Sequence, residues 1–416
     1  MVLGSTDIFV YAHWIGLQEP VLMGILSLQQ SKGRKSLSFE YDESWINGNQ
    51  VFLLDPDIML YSGPQFPGAK ENFGVFLDSM PDSWGRTLMK RRAAQLAKED
   101  GRPVTVLHDI DFLLGVADTC RMGALRFKLD PDGPFLDDDR HTPVPPWASV
   151  GELQHIADLV ESDKNTKELN KWLLMLMAPG SSLGGAMPKA NISDKDGQLW
   201  IAKFPSKNDT IDKAKWEYLV YRLALIAGIS MSESRIEKVA GKYYTFFTKR
   251  FDRVKGERIH FASAMTMTGN NEEILRDKRA SYLDLSLFIQ DHGGNIKEDL
   301  TELWRRIVFN IAVSNTDDHL RNHGFIIENG QWCLSPAFDV NPSIDKEELA
   351  LNIDDTSGLL DFELALSVRE YFRLSNEEAK SILSRVMKAI GNWEKLAKQI
   401  GIPRAEIDLM RSAFRF

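Results

Sequence analysis

The sequence predicts an α+β fold in two halves, one β-rich and one helical, with an extra, mainly β segment ahead of them. Three observations carry this. Up to about residue 130, short runs such as Ile8-Phe9-Val10-Tyr11, Val21-Leu22-Met23 and Leu37-Ser38-Phe39-Glu40-Tyr41 are separated by Gly, Pro, Asp or Asn, the pattern of short strands joined by turns. Between about 180 and 250 a single helical stripe interrupts further strand-like runs, and beyond 275 apolar residues recur at helical spacing. At 416 residues, 43% hydrophobic and 26% charged, the chain has room for two or three domains with a substantial core.

In the first segment one helix opens after Pro81, with Asp82 as its cap and Trp84, Leu88, Met89, Ala93 and Leu96 along its stripe. The stretch 130–146 is rich in proline and aspartate, lacks periodicity and reads as a linker, which sets the first domain at 1–145. In the next, 146–250, Asp196-Gly197 is a hairpin turn leading into Leu199-Trp200-Ile201-Ala202-Lys203-Phe204. Residues 210–227 then form a helix on Trp216, Leu219, Val220, Leu223 and Ala227, stopped by Gly228, and strands at 235–239 and 243–250 join across Gly241-Lys242. In 251–416 only helices are expected, at 282–290, 302–313, from 363, 377–390, 393–400 and 404–414.

Several function classes fall away on composition. Lys+Arg 50 against Asp+Glu 59 gives a net charge of -9, so bulk affinity for nucleic acid is not expected. Cys120 and Cys333 build neither a disulfide framework nor a CxxC zinc site. The first residues lack a basic region followed by an apolar core, and no stretch approaches 18 apolar residues, so a cytoplasmic protein with no membrane association is expected. His13, His108, His141, His155, His260 and His292 show no metal-ligand spacing, and no G-x-S-x-G elbow exists.

What remains is a set of residues suited to phosphoryl transfer. In Asn315-Thr316-Asp317-Asp318-His319-Leu320-Arg321-Asn322, Asp317 and Asn322 have the D-x4-N spacing of a kinase catalytic loop, where the Asp takes the acceptor proton and the Asn carbonyl holds Mg2+. The segment follows a helix whose buried face is Trp304, Ile307, Val308 and Ile311. Leu334-Ser335-Pro336-Ala337-Phe338-Asp339 supplies a second acid for the metal, although Val340-Asn341 follows where a D-F-G motif has Phe-Gly. The Gly- and Ser-rich run Pro179-Gly180-Ser181-Ser182-Leu183-Gly184-Gly185-Ala186-Met187-Pro188-Lys189 lets backbone N–H groups approach a phosphate. It is neither a P-loop nor a G-x-G-x-x-G. Lys203 ends a strand as in V-A-I-K, and Glu217 on the next helix is placed to pair with it. Each signal is weak by itself, but together they follow the order of a kinase chain, a β-rich N-lobe and an all-helical C-lobe.

These residues, with Met80-Pro81-Asp82-Ser83-Trp84-Gly85-Arg86, Phe112-Leu113-Leu114-Gly115-Val116, Gly123-Ala124-Leu125-Arg126-Phe127 and Arg250-Phe251-Asp252-Arg253, make the chain resemble the HipA family of serine/threonine kinase toxins of type II toxin–antitoxin systems. The resemblance spans nearly the whole chain. It implies a family N-terminal subdomain on a two-lobed protein-kinase-like fold, ATP with Mg2+, Asp317 as base, and metal ligation by Asn322 and Asp339. It further implies nucleotide contacts from Gly184, Gly185, Ala186, Met187, Pro188, Lys189, Lys203, Lys249, Arg250, Phe251, His319, Asn322, Phe338 and Asp339, and self-inactivation by autophosphorylation on Ser182. It also implies a helix-turn-helix antitoxin of HipB type, operator DNA reached only through that antitoxin, and a protein substrate of the aminoacyl-tRNA synthetase class, such as glutamyl-tRNA synthetase. Two other readings stay open: a small-molecule phosphotransferase of kinase-like fold, and a catalytically inactive corepressor acting through the antitoxin.

Overall fold

The structure is a computed structural model that describes residues 4–31, 34–48, 53–68, 70–136, 144–162, 173, 176, 185 and 187–416. The chain divides into two compact units, Met1–Ile201 with Asp252–Ala262, and Ala202–Phe251 with Ser263–Phe416.

The first unit is built on a four-stranded antiparallel sheet of order β3-β2-β1-β4, formed by β1 (Gly4–Ala12), β2 (Val21–Ser31), β3 (Arg34–Tyr41) and β4 (Leu125–Lys128). Ile8, Val10 and Ala12 alternate into the core as the two-residue period of a strand requires. On β2 a side chain at Gly24 would come within 2.2 Å of the Glu40 carbonyl and 2.7 Å of the Phe39 ring, so only glycine fits there. The helix Ser83–Glu99 opens where expected, with the Asp82 carboxylate accepting the Gly85 N–H at 2.8 Å. Trp84, Leu88 and Met89 are buried, but Ala97 takes the position expected of Leu96 at the inner end of the stripe.

The motifs of this unit turn out to be fastenings. Asp82 also pairs with Lys189 at 2.7 Å, while the Trp84 indole donates to the Lys189 carbonyl at 3.1 Å. A Cβ on Gly85 would sit 2.7 Å from that of Pro81. Asp252, fully buried, accepts the Gly123 N–H at 2.8 Å, and Arg253 donates to the carbonyls of Gly123 and Arg121 at 3.1 and 2.7 Å. β5 (Lys189–Ser193) and β6 (Leu199–Lys203) form the expected hairpin, turned by Asp194, whose carboxylate accepts the N–H of Asp196 and of Gln198 at 2.9 Å, and by Gly197 at φ 73.

In the second unit β7 (Ser234–Glu237) pairs antiparallel with β8 (Thr245–Lys249). The helix Lys213–Ala227 begins later than its periodicity suggested because Asp212 is its cap, and Gly228 ends it in the left-handed region, as predicted. Trp216, Leu219, Val220, Leu223 and Ala227 are all buried. Helices follow at Tyr282–His292, Ile296–Ala312, Phe362–Ser367, Asn376–Ile390, Trp393–Ile400 and Arg404–Met410. The second of these starts well before 302, with Glu298 and Asp299 in its first turn, where acids favour the helix dipole.

The helical half also carries a hairpin, Gly324–Glu328 with Gln331–Leu334, which was not expected there. Its turn is Asn329-Gly330, both at positive φ (50 and 78), the chemistry of a type I′ turn. Among the described residues no helix is long and apolar enough to cross a membrane.

Candidate active site

The second unit gathers most of the predicted residues. Lys203, at the end of β6, is buried, and its ammonium donates to Glu217 Oε1 at 2.7 Å and Asp339 Oδ1 at 2.6 Å. The Phe246 ring centre on β8 lies 5.7 Å from the same nitrogen. Burial pulls the Lys203 pKa down, but the carboxylates of Asp339 and Glu217 outweigh it and hold the value above the ordinary lysine range, so the cation is permanent. Glu217 faces inward because its neighbours Trp216 and Val220 anchor the helix in the core.

Asp339 sits at φ 56, a left-handed conformation that costs a non-glycine residue about 1 kcal/mol or more. Asn341 Nδ2 donates to the same Oδ1 at 3.1 Å, and the preceding Phe338 packs its ring 5.6 Å from that of Phe251.

The loop after the Ile296–Ala312 helix separates two adjacent acids. Asp317 is 78% exposed, with His319 Nε2 at 4.0 Å, whereas Asp318 is 1% exposed. Asp318 Oδ1 accepts the Ala350 N–H at 2.6 Å and Oδ2 accepts the Tyr282 hydroxyl. Burial pushes its carboxyl up to about 6, against those two hydrogen bonds. Asn322 Nδ2 donates to the Asp317 carbonyl at 2.7 Å, closing the loop on itself. Beyond it His323 is buried, and burial pulls its imidazole down to about 3, so the ring is neutral. A cavity of only about 10 Å³ lies behind the loop among Asn310, Asn315, Asp318, Asn322 and His323.

The metal expectation can be tested on one atom. Asn322 Oδ1 is buried without a hydrogen-bond partner among the described residues, an arrangement that is costly unless something electropositive meets it. A neutral carbonyl oxygen and the Asp339 carboxylate are the hard ligands Mg2+ prefers, and Mg2+ commonly takes only one or two protein groups. No cluster of three or more His, Cys, Asp or Glu side chains suited to a metal exists among the described residues. The residues present fit a cation held jointly with phosphate and water.

The remaining predicted residues divide. Lys249 donates its N–H to the Glu233 carbonyl at 2.8 Å, and Arg250 is buried. Gly185, Met187, Pro188 and Lys189 belong to the first unit, where the Lys189 ammonium meets Asp82 and, at 3.2 Å, the Gly185 carbonyl. Ser182, Gly184 and Ala186 lie outside the described residues. Sequence reasoning missed Asp318, Tyr282, Asn310, Asn315 and Asn341, although the Asp317-Asp318 doublet at a helix exit was a visible signal that one acid points outward and one inward.

The family described as HipA-like C-terminal domain matches residues 181–394, a span that contains every residue gathered in the second unit's site. A curated protein of Haemophilus influenzae (strain ATCC 51907 / DSM 11121 / KW20 / Rd) named "Putative kinase" is 29% identical over 179 residues, covering 38% of this chain and 52% of that one. The chain thus spans about half the length of this curated relative. A solved structure, the Shewanella oneidensis MR-1 toxin–antitoxin complex of HipA, HipB and operator DNA, superposes with a TM-score of 0.67 at 17% identity. That match covers 98% of this chain and 94% of the other, and it bears out the α+β, HipA-type fold expected from the sequence. With more than half of its length matched by the family, the chain belongs to the HipA-like proteins.

Proposed function

We propose that this chain is an ATP- and Mg2+-dependent serine/threonine protein kinase, the toxin of a toxin–antitoxin pair. The observation that carries the reading is the Lys203 ammonium held between Glu217 and Asp339, in the unit whose exposed Asp317 leads a D-x4-N loop. Phosphoryl transfer asks a protein mainly for positioning and charge. Lys203, kept cationic, would bind the nucleotide phosphates, with Glu217 fixing its direction. Asp339 and Asn322 Oδ1 would hold Mg2+, which when bound neutralises charge developing on the transferred group. Asp317, exposed and among the described residues met by no ion pair shorter than the 4.0 Å to His319, would reach an acceptor hydroxyl and take its proton.

The antitoxin proposed is of HipB type, by analogy with the HipA, HipB and operator DNA complex, with DNA engaged only through it. The protein substrate is proposed to be an aminoacyl-tRNA synthetase, with glutamyl-tRNA synthetase the first to try, and the self-inactivating site to be Ser182.

The deciding experiment incubates the purified chain with γ-labelled ATP, with and without Mg2+, alone and with candidate synthetases. Mg2+-dependent label on Ser/Thr that falls by at least about 100-fold in Asp317→Asn, with an unchanged melting temperature, is expected. Equal labelling by the variant would refute the assignment of the base, and label on a small-molecule hydroxyl alone would favour the small-molecule phosphotransferase.

A further inference from the structure

The two loops of the site are joined by a chain of hydrogen bonds, all but one between side chains and buried along most of its length. It begins at Asp318, whose Oδ2 accepts the Tyr282 hydroxyl. Asn310 Nδ2 donates to the Tyr282 oxygen at 2.8 Å, and Asn315 Nδ2 donates to Asn310 Oδ1 at 3.1 Å. Asn315 Oδ1 accepts the Asn341 N–H at 3.3 Å, and Asn341 Nδ2 donates to Asp339 Oδ1 at 3.1 Å. Ser343 N–H to the Ser314 carbonyl, at 3.1 Å, adds a backbone tie between the same loops. Tyr282, Asn310, Asn315 and Asp318 are each less than 5% exposed.

Resting on the kinase reading above, we propose that Asp318 and Tyr282 are positioning residues that set the base Asp317 against the metal acid Asp339. The argument is one of direction. A carboxylate only accepts, so the Tyr282 hydroxyl must donate to Asp318, and its oxygen is then left to accept from Asn310. Each amide in turn has its donor and acceptor ends assigned without choice. From the Asn341 N–H to Asp318 the donors all run one way, so that stretch has one low-energy arrangement and any reversed member leaves a buried group unpaired. Asp318 is covalently next to Asp317, so fixing the first fixes the backbone that aims the second. At the other end Asn341, whose backbone N–H is fixed by Asn315, donates its side-chain amide to the Asp339 Oδ1 that Lys203 also holds, so the chain reaches the metal acid through the placement of Asn341 itself. Lys203, itself paired with Glu217, still holds Asp339 Oδ1 when the chain is lost, so that loss should misplace the base more than it weakens nucleotide binding.

The test compares Tyr282→Phe, Asp318→Asn and the exchange Asp318→Asn with Asn310→Asp, using full-length protein of confirmed melting behaviour. Tyr282→Phe should lower kcat about 10- to 100-fold with KM for ATP within about 2-fold, as expected for a base moved by a fraction of an ångström. Asp318→Asn puts two amide donors on the Tyr282 oxygen and should be equally slow. The exchange turns the polarity around, with Tyr282 donating to residue 310, and should recover most of the rate. Folded variants with wild-type kcat, or an exchange no better than the single variant, would overturn the proposal. Amide hydrogen exchange across 315–322 and 339–341 is measured in parallel because it needs no activity. If the wild type transfers no phosphate, the kinase reading fails by itself, and the chain is judged on exchange. Faster exchange at both loops in Tyr282→Phe supports it, and unchanged protection overturns it.

Discussion

Lys203→Met removes the cation from between two acids while keeping the bulk of the side chain. Breaking a buried pair by deleting one partner costs about 3–5 kcal/mol, because the other charge is left without compensation. The Glu217 side chain is 8% exposed, but that of Asp339 is 22% exposed and partly hydrated, which places the cost near the lower end, about 3 kcal/mol. In a unit of roughly 200 residues that corresponds to a fall in melting temperature of about 6–12 °C. On the proposed reading Lys203 also meets the nucleotide phosphates, so nucleotide binding should disappear along with the stability.

The pH dependence supplies a second signature. The folded Lys203 value lies above the ordinary 10.5, so its stabilisation is complete below 10.5 and is lost only as pH rises through the still higher folded value. The wild type therefore keeps it throughout pH 5 to 9. In the variant the two carboxylates, having lost the Lys203 cation, are relieved by protonation, so the deficit should shrink as pH falls from 8 to 5. Calorimetric melting of both proteins at three pH values is the assay. A variant that melts within about 1 °C of wild type at pH 8, or a deficit that ignores pH, would refute the view that this triplet holds the unit together.

Three further outcomes follow from individual residues. Asp339→Ala should abolish Mg2+-dependent nucleotide affinity in calorimetry, and Asp339→Gly, equally ligand-free, should be more stable than the alanine variant by about 1 kcal/mol because glycine tolerates φ 56. The Asp318 carboxyl, pushed up to about 6 from the ordinary 3.8, binds more proton folded than unfolded, so it withdraws stability as pH rises from about 4 to 6. Urea titrations should therefore show Asp318→Asn gaining on wild type between pH 4.5 and pH 7, and a constant gap would contradict the buried assignment. Phosphorylation of Ser182 would add about -1.5 to -2 charges to the loop proposed to bind phosphate. ATP affinity should rise after phosphatase treatment of the wild type and stay unchanged in Ser182→Ala.

What could be read from the chain and what could not divide along one physical line. Periodicity and turn chemistry are local, so the helix on Trp216, Leu219 and Val220, the Asp82 cap and the Asp196-Gly197 hairpin were all legible. The hairpin around Asn329-Gly330 was equally local and was overlooked because the surrounding pattern was helical. Lys203 and Glu217 were recognisable from spacing along one strand and one helix, and the D-x4-N loop from six residues. The partnership of Lys203 with Asp339, 136 positions apart, was not, nor was the division of labour between Asp317 and Asp318. The family motifs shared this limit: Asp82, Gly123, Asp252 and Arg253 stand out in the sequence, yet only contacts with residues up to 132 positions away explain them as fastenings. The chain alone determines which groups are acids, cations, caps and turns, because those are properties of side chains and their near neighbours. Which acid is buried, which is exposed, and which amide meets which carboxylate is decided when distant segments exclude water from one another, since desolvation depends on everything packed around a group.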